Sequence, residues 1–168
     1  MTTSERERLF LDVFHGSRAS LQRLCYGFLS SPQEVEDLFQ EVMTNVWNSL
    51  PSFRAESALN TWVYRIAVNT ALVYRKKLRR GEELPDLPDG RQGALQNLEQ
   101  QERLAALRRA IAGLGDQDRL IVTLLLEGLS YKEIAEITGL TVNYVGVKIS
   151  RIKQTLEQLM SEVTHGAL

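Results

Sequence analysis

Leu129-Ser-Tyr-Lys-Glu-Ile-Ala-Glu-Ile-Thr-Gly-Leu-Thr-Val-Asn-Tyr-Val-Gly-Val-Lys-Ile-Ser-Arg-Ile152 spells two short helices joined by a tight turn. Ser130 and Glu133 have the spacing of a capping box, and Leu129 and Ile134 are placed to pack across the helix start as a hydrophobic staple. Gly139 can adopt the left-handed conformation that ends a helix, and Thr141 can cap the next one. In the second helix Val145, Ile149, Ile152, Leu156 and Leu159 recur every three or four residues and form one buried stripe. The opposite face carries Asn143, Val147, Ser150 and Gln154, with Tyr144 and Arg151 on one shoulder and Lys148 nearer the core edge. Asn pairs with adenine, Val touches a thymine methyl, and Lys and Arg neutralise phosphate, so the pair of helices has the make-up of a duplex-reading module. A plain helical hairpin with a solvated polar face and a helix pair adapted to bind protein are the alternatives; the two caps and the glycine turn favour the first reading.

Working outward, the stretch Gly81 to Gly93 gathers glycines, prolines and acids between helix-like flanks and is expected to be a linker. The fold class expected is all-α: two small helical domains, residues 1–80 and 98–168, joined by a flexible linker over 81–97, with the helix-turn-helix in the second. No useful strand-like alternation occurs. In the first domain Leu9, Phe10, Val13 and Phe14 predict one amphipathic helix and Leu21, Leu24, Cys25 and Phe28 another. Ser31-Pro32-Gln33-Glu34 predicts a third, with an N-cap, a proline at the first helical position and a capping-box spacing. Its buried stripe is Val35, Leu38, Phe39, Val42 and Val46; its outward side is Gln33, Asp37, Gln40, Glu41, Thr44 and Asn48, polar and acidic.

A fourth helix is predicted to bury Leu59, Trp62, Val63, Ile66, Thr70 and Val73 and to turn outward Thr61, Tyr64, Arg65, Val68, Ala71, Leu72, Arg75 and Arg79. Aromatic, small and basic groups along one surface suit a nucleic-acid strand, although a basic helix face alone is as often merely solvated. In the second domain Leu104, Leu107, Ile111 and Leu114, then Leu120, Ile121, Leu124 and Leu125 up to Gly128, predict two supporting helices.

With 168 residues, 43% of them hydrophobic, the chain can build cores of this size. Its net charge of −1 conceals a segregation: Arg65, Arg75, Lys76, Lys77, Arg79 and Arg80 follow one another without an intervening acid, whereas Glu34, Glu36, Asp37 and Glu41 crowd an earlier helix. Opposite faces are expected to meet opposite partners. Cys25 stands alone in an apolar segment, which excludes a disulfide framework and fits a small core residue. The N-terminus has no apolar signal stretch and no later run reaches membrane-spanning length, so a soluble, cytoplasmic protein is expected. His15 and His165 lie near opposite ends, and no Gly-rich phosphate loop or carboxylate–histidine cluster occurs, so neither catalysis, a cofactor nor a metal is expected.

Glu36-Asp-Leu-Phe-Gln-Glu-Val-Met43, Phe53-Arg-Ala-Glu-Ser-Ala-Leu-Asn-Thr-Trp62 and Tyr64-Arg-Ile-Ala-Val-Asn69 resemble the second conserved region of bacterial RNA polymerase sigma factors of the extracytoplasmic-function (ECF) group, and Leu114 to Leu156 resembles the fourth. The resemblance spans nearly the whole chain. It implies that Asp37, Gln40, Glu41 and Thr44 dock on the polymerase core, and that Phe53, Arg54, Ala55 and Glu56 capture unstacked bases of the nontemplate strand at the minus-ten element. Thr61, Tyr64, Arg65, Val68, Asn69, Arg75 and Arg79 would hold the same strand, and Thr141, Asn143, Tyr144, Val147, Lys148, Ser150 and Arg151 would read the minus-thirty-five element. It also implies a monomer when free, partnered by core polymerase, promoter DNA and an anti-sigma protein. The linker acids Glu82, Glu83, Asp86 and Asp89 could enter a polymerase channel by charge mimicry. Two positions depart from the family: Gly146 stands where many members carry a basic residue, and Val73 where an acid is common. Trp47 and Trp62 are assigned to core packing. Phe53 is open between base contact and plugging the core. A stand-alone helix-turn-helix regulator, its first half serving as a dimerisation or sensor domain, is the alternative; it explains neither the Asp37, Gln40, Glu41 surface nor the aromatic-basic helix face.

Overall fold

The computed structural model describes residues 1–29, 31–79 and 98–165. The linker 81–97, with Glu82, Glu83, Asp86 and Asp89, and the terminal member of the basic run, Arg80, lie outside the described residues. Among the described residues the structure is all helical: α1 (Thr3–Phe28), α2 (Pro32–Ser49), a 3-10 turn (Leu50–Ser52), α3 (Leu59–Leu78), α4 (Leu98–Ala112), α5 (Asp116–Leu126), α6 (Tyr131–Thr138) and α7 (Val142–His165).

Where two helices are predicted at the start of the chain, there is one. Thr2 and Glu5 form a full capping box, the Thr2 amide donating to the Glu5 carboxylate at 2.7 Å, and α1 then runs unbroken to Phe28. Gly16 lowers helix propensity by only about 1 kcal/mol and has no neighbour within 4 Å, so nothing at that point stops the helix. Val13, Ser17, Leu21, Leu24 and Phe28 continue a single buried stripe through it. Extended backbone at Leu29 and Ser31 and the ring of Pro32 then force the chain to turn. The second predicted capping box is absent: Ser31 has the extended N-cap backbone, but its side chain makes no capping hydrogen bond, and the α2 start rests on Pro32 and the first-turn acid Glu34.

α2 buries Val35, Leu38, Phe39, Val42, Met43 and Val46 against α1 and α3, as its periodicity predicts. In the second half α7 packs on α4, α5 and α6 through Val145, Ile149 and Ile152. The inward side of α4 is Ala106 and Ala110, while Leu104 is exposed; the predicted stripe is one position off at that end. The two halves do not stand apart. α1 packs on α5 and α3 on α6, and one continuous hydrophobic core runs through both. α5 comes close to α1 at Gly27: a Cβ there would lie 2.7 Å from Thr123 Oγ1. Beside that crossing Arg23 donates from two nitrogens to the two carboxylate oxygens of Glu127, each at 2.8 Å.

Candidate functional site

The face expected to read duplex DNA is built as its sequence predicts. Ser130 and Glu133 form the capping box, with the Ser130 amide donating to Glu133 at 2.8 Å. These hydrogen bonds, the one from the Ser130 backbone amide first, hold the Glu133 carboxyl below its usual range. Gly139 is left-handed at φ 74°, and the Tyr144 amide donates to Thr141 Oγ1 at 3.2 Å. Val145 and Ile149 are buried, so Thr141, Asn143, Tyr144, Val147, Ser150 and Arg151 face solvent. Lys148 sits at the core edge, where its amine donates to Asp118 at 2.7 Å; that bond pushes its pKa up and keeps it cationic. The Tyr144 hydroxyl reaches Gln117 at 3.4 Å. At Gly146 the nearest side chain is Tyr131, 3.8 Å from where a Cβ would lie, so steric exclusion does not account for the missing side chain.

The acidic strip of α2 is also where its sequence puts it. Asp37, Gln40 and Thr44 are exposed and Glu41 partly so. Gln40 donates to Glu36 at 3.4 Å, the Thr44 hydroxyl donates to the Gln40 carbonyl at 2.9 Å, and Glu41 meets Lys77 only at 3.9 Å. A contact of that length between solvated side chains contributes under about 1 kcal/mol, leaving the strip free to meet a basic surface.

α3 departs from expectation. Thr61, Tyr64, Val68, Ala71 and Arg75, predicted to face outward, are buried; Arg65 and Leu72 are half-buried, and of the expected strand contacts from Thr61 to Arg79 only Asn69 and Arg79 are exposed. Val73, predicted for the buried stripe, is 53% exposed, and Leu59, Trp62 and Ile66 are only partly covered. The reason is that α3 has partners on two sides: α1 and α2 take one face, and the second half takes the other. Thr61 and Tyr64 line a cleft with Glu127, Leu129 and Glu133. Burial raises the Tyr64 pKa. Arg65 donates to the Glu136 carbonyl at 3.1 Å.

At the far end of α3, Arg79 grips both oxygens of Asp116, at 2.9 and 2.8 Å, and Arg75 Nη1 lies 3.0 Å from the same carboxylate. Arg119 is buried beside them and donates to the Ala112 and Leu114 carbonyls. Arg75 Nε and Arg119 Nε have no hydrogen-bond partner, and Arg75 Nη1 has only its ion pair with Asp116. Burial lowers the pKa of Arg75 against the pull of Asp116, and burial together with Arg75 pushes Arg119 down to about 10. The sequence does not single out Asp116 or Asp118, because acids at a helix start look like ordinary complements of the helix dipole, nor Glu136, which takes part through its backbone carbonyl.

The loop between α2 and α3 carries the other predicted strand contacts. Arg54, Ala55 and Glu56 are exposed, and Ala55 is the one non-glycine residue with positive φ, at 56°, among the described residues. Phe53 packs on Trp62 with ring centroids 5.1 Å apart, and the two help line an open groove of about 540 Å³ with Arg54, Glu56, Arg65 and Glu136. Phe53 thus covers Trp62 and lines the groove at once. Trp47 is a packing residue, edge-on to Phe10 at 5.3 Å with the Arg6 guanidinium 4.0 Å above its ring. Cys25 is buried, its thiol pushed up to about 12, which removes nucleophilic character. Among the described residues no cluster of metal-ligating side chains occurs and no helix is long and apolar enough to cross a membrane.

Residues 14–81 match the Sigma-70 region 2 family and residues 104–156 match Sigma-70, region 4. The chain is 36% identical to the ECF RNA polymerase sigma-E factor of Escherichia coli over 140 residues, covering 74% of this chain and 72% of that one. It is 30% identical to the RNA polymerase sigma-H factor of Pseudomonas aeruginosa over 156 residues, 83% and 80% of the two chains. The fold is that of the sigma factor RpoE in complex with the anti-sigma factor NepR from Bartonella quintana, with a TM-score of 0.77 at 21% identity over 90% of this chain and 96% of that one. It is also that of CnrH in complex with the cytosolic domain of CnrY, with a TM-score of 0.70 at 21% identity over 92% and 89%. Two regions in the right order, a shared fold and relatives matched over most of their length settle the identity: the chain belongs to the ECF sigma factors of bacterial RNA polymerase and directs transcription initiation.

Proposed function

We propose that the strip Asp37, Gln40, Glu41 and Thr44 docks this sigma factor on core polymerase. Phe53, Arg54, Ala55 and Glu56, with Thr61, Tyr64, Arg65, Val68, Asn69, Arg75 and Arg79, hold the melted nontemplate strand at the minus-ten element. Thr141, Asn143, Tyr144, Val147, Lys148, Ser150 and Arg151 read the minus-thirty-five element as duplex. The observation that carries this reading is the acidic strip of α2, exposed apart from the half-buried Glu41 and bonded only within its own helix and, loosely, to Lys77.

Promoter opening follows from binding energy. A groove that accepts an extruded base and a basic helix face that accepts the strand both favour melted DNA, and no nucleotide is hydrolysed by this chain. The burial of Thr61, Tyr64, Val68 and Arg75 means that the strand reaches them only once α5 and α6 have moved off α3. The functional units are residues 1–80 and 98–168 joined by 81–97, the free protein is a monomer, and it works in the cytoplasm, where polymerase is. An anti-sigma protein restrains it, a proposal supported by the structural neighbour RpoE, a sigma factor in complex with the anti-sigma factor NepR.

The test is size-exclusion chromatography with bacterial core polymerase, wild type beside the double variant Asp37→Arg, Glu41→Arg. Wild type should co-elute and the variant should not. Equal co-elution of both would remove the docking surface from α2.

A further inference from the structure

Three guanidinium groups, those of Arg75, Arg79 and Arg119, converge where α3 meets α5, and Asp116 is the carboxylate among them. Arg75 is 4% exposed and Arg119 9%; the Nε of each lacks a hydrogen-bond partner, and Arg75 Nη1 has only its ion pair with Asp116. Without Asp116 this contact would press like charges together in a partly dry interface, which is strongly unfavourable. The pairing is geometrically specific as well. Arg79 is bound through both terminal nitrogens, the fork-on-fork arrangement that guanidinium makes equally with carboxylate and phosphate. The same turn of α5 reaches the other DNA-facing surface, where Asp118 holds Lys148 and Gln117 meets Tyr144.

We propose that Asp116 is a latch that occupies Arg75 and Arg79 in place of a DNA phosphate, keeping the second half folded over the strand-holding face of the first until nucleic acid displaces it. The inference rests on the reading of Arg75 and Arg79 as strand contacts. Displacement is a direct exchange: the incoming phosphate takes the two guanidinium groups, Asp116 is released to water, and α5 and α6 leave α3 together. Closing and DNA binding are therefore mutually exclusive at the same two side chains. The free factor is thereby kept from holding single strands that it meets away from a promoter.

The experiment compares full-length wild type with Asp116→Asn by small-angle scattering and by anisotropy of a labelled single-stranded oligonucleotide of mixed sequence. The variant should expand and bind the oligonucleotide about tenfold more tightly, within the roughly 5- to 150-fold typical when one equilibrium is coupled to another. Asp118→Asn, which takes an equivalent first-turn carboxylate from the same helix, should leave the radius of gyration at the wild-type value. A folded Asp116→Asn chain with wild-type dimensions and affinity would overturn the latch, and expansion without tighter binding would overturn the phosphate mimicry. Adding Arg79→Ala to Asp116→Asn separates the two readings: retained oligonucleotide affinity would remove the strand contact while the scattering still judged the latch. Asp116→Ser, which keeps a residue suited to a helix start, serves if the amide variant does not fold. Should neither fold, a salt series on wild type decides, since a chain held by these ion pairs expands as ionic strength rises and one held only by its core does not.

Discussion

The outer strip of α2 and the strip of α3 from Thr61 to Arg75 belong to neighbouring helices of the same half, and the sequence pattern turns both outward. One is open and the other sealed. On α2 the exposed groups are acids and amides whose partners are within the helix or at 3.9 Å. On α3 the strip includes Tyr64, Val68 and Ala71, apolar surface that α6 and the loop before it cover. The difference teaches that, on the roles proposed above, the two surfaces are not presented together: the docking strip of α2 is open in the closed chain, and the strand contacts on α3 at Thr61, Tyr64, Val68 and Arg75 are covered.

The comparison is broken most directly by substituting on each strip in turn. Tyr64→Ala removes a buried aromatic ring and should cost about 3 kcal/mol in chemical denaturation. Asp37→Arg, on the open strip, should change stability by less than about 0.5 kcal/mol while weakening polymerase binding. Equal stability effects would mean that α3 is not sealed in solution.

A second substitution sharpens where the seal is held. Alanine at Gly27 would place its Cβ 2.7 Å from Thr123 Oγ1 and 2.8 Å from Thr123 Cγ2. Thr123 is buried and its hydroxyl donates to the Arg119 carbonyl at 2.8 Å, so it cannot swing aside cheaply. Two effects of opposite sign compete. Glycine to alanine inside a helix gains up to about 1 kcal/mol, whereas a clash in a packed interface costs about 1 to 3 kcal/mol. With α1 against α5 the clash wins, and Gly27→Ala should melt earlier and expand in scattering; a rise in melting temperature without expansion would show the halves apart.

The reading module was legible because what builds it is local. Ser130, Glu133, Gly139 and Thr141 act within three residues of themselves, so spacing alone places them, and the exposed side of α7 follows from its buried stripe. The outer strip of α2 was legible for the same reason. The sealing of α3 was not, because its cover comes from Asp116, Glu127, Leu129 and Glu133, remote in sequence, and a helical wheel divides a helix into one buried and one exposed side. A signal did exist: Tyr64, Val68, Ala71 and Leu72 make an unusually apolar outward face for a solvated helix. At α1 the split into two helices failed differently: Leu9 to Phe14 and Leu21 to Phe28 form separate apolar groups in the sequence, but nothing between them, Gly16 included, supplies a cap that would end the helix.

The cap on α6 offers a pH-dependent version of the same comparison, because α6 is part of the seal and α2 is not. Ser130→Ala should cost about 1 kcal/mol, typical of a lost N-cap. Glu133 has a carboxyl pKa lowered by its bonds to Ser130, so the stabilisation it gives is present above the unfolded carboxylate pKa and is lost as pH falls through the lower folded value. Hydrogen exchange of α6 should therefore quicken in acid, below the ordinary range of a glutamate, before that of α2, and the difference should vanish in Glu133→Gln.

The smallest expected effect lies in the loop that joins the two strips. Ala55 holds φ at 56°, a region that costs a residue with a Cβ about 1 to 2 kcal/mol and costs glycine nothing. Replacing it by glycine relieves that strain but returns about 0.5 to 1 kcal/mol to the freedom of the unfolded chain, so the net gain in stability should be about 0.5 kcal/mol. Function should move the other way. Strain persists at a surface loop only where the surroundings hold it, and here Phe53 against Trp62 fixes one side of the groove in which Arg54 and Glu56 stand. A glycine leaves those contacts in place but lets the loop sample other shapes, so promoter opening by the Ala55→Gly holoenzyme should slow while polymerase affinity, set on α2, stays at the wild-type value. Slower opening with unchanged docking would separate the two strips functionally, as their exposure separates them structurally; unchanged opening would mean that the loop conformation serves only the turn from α2 into α3.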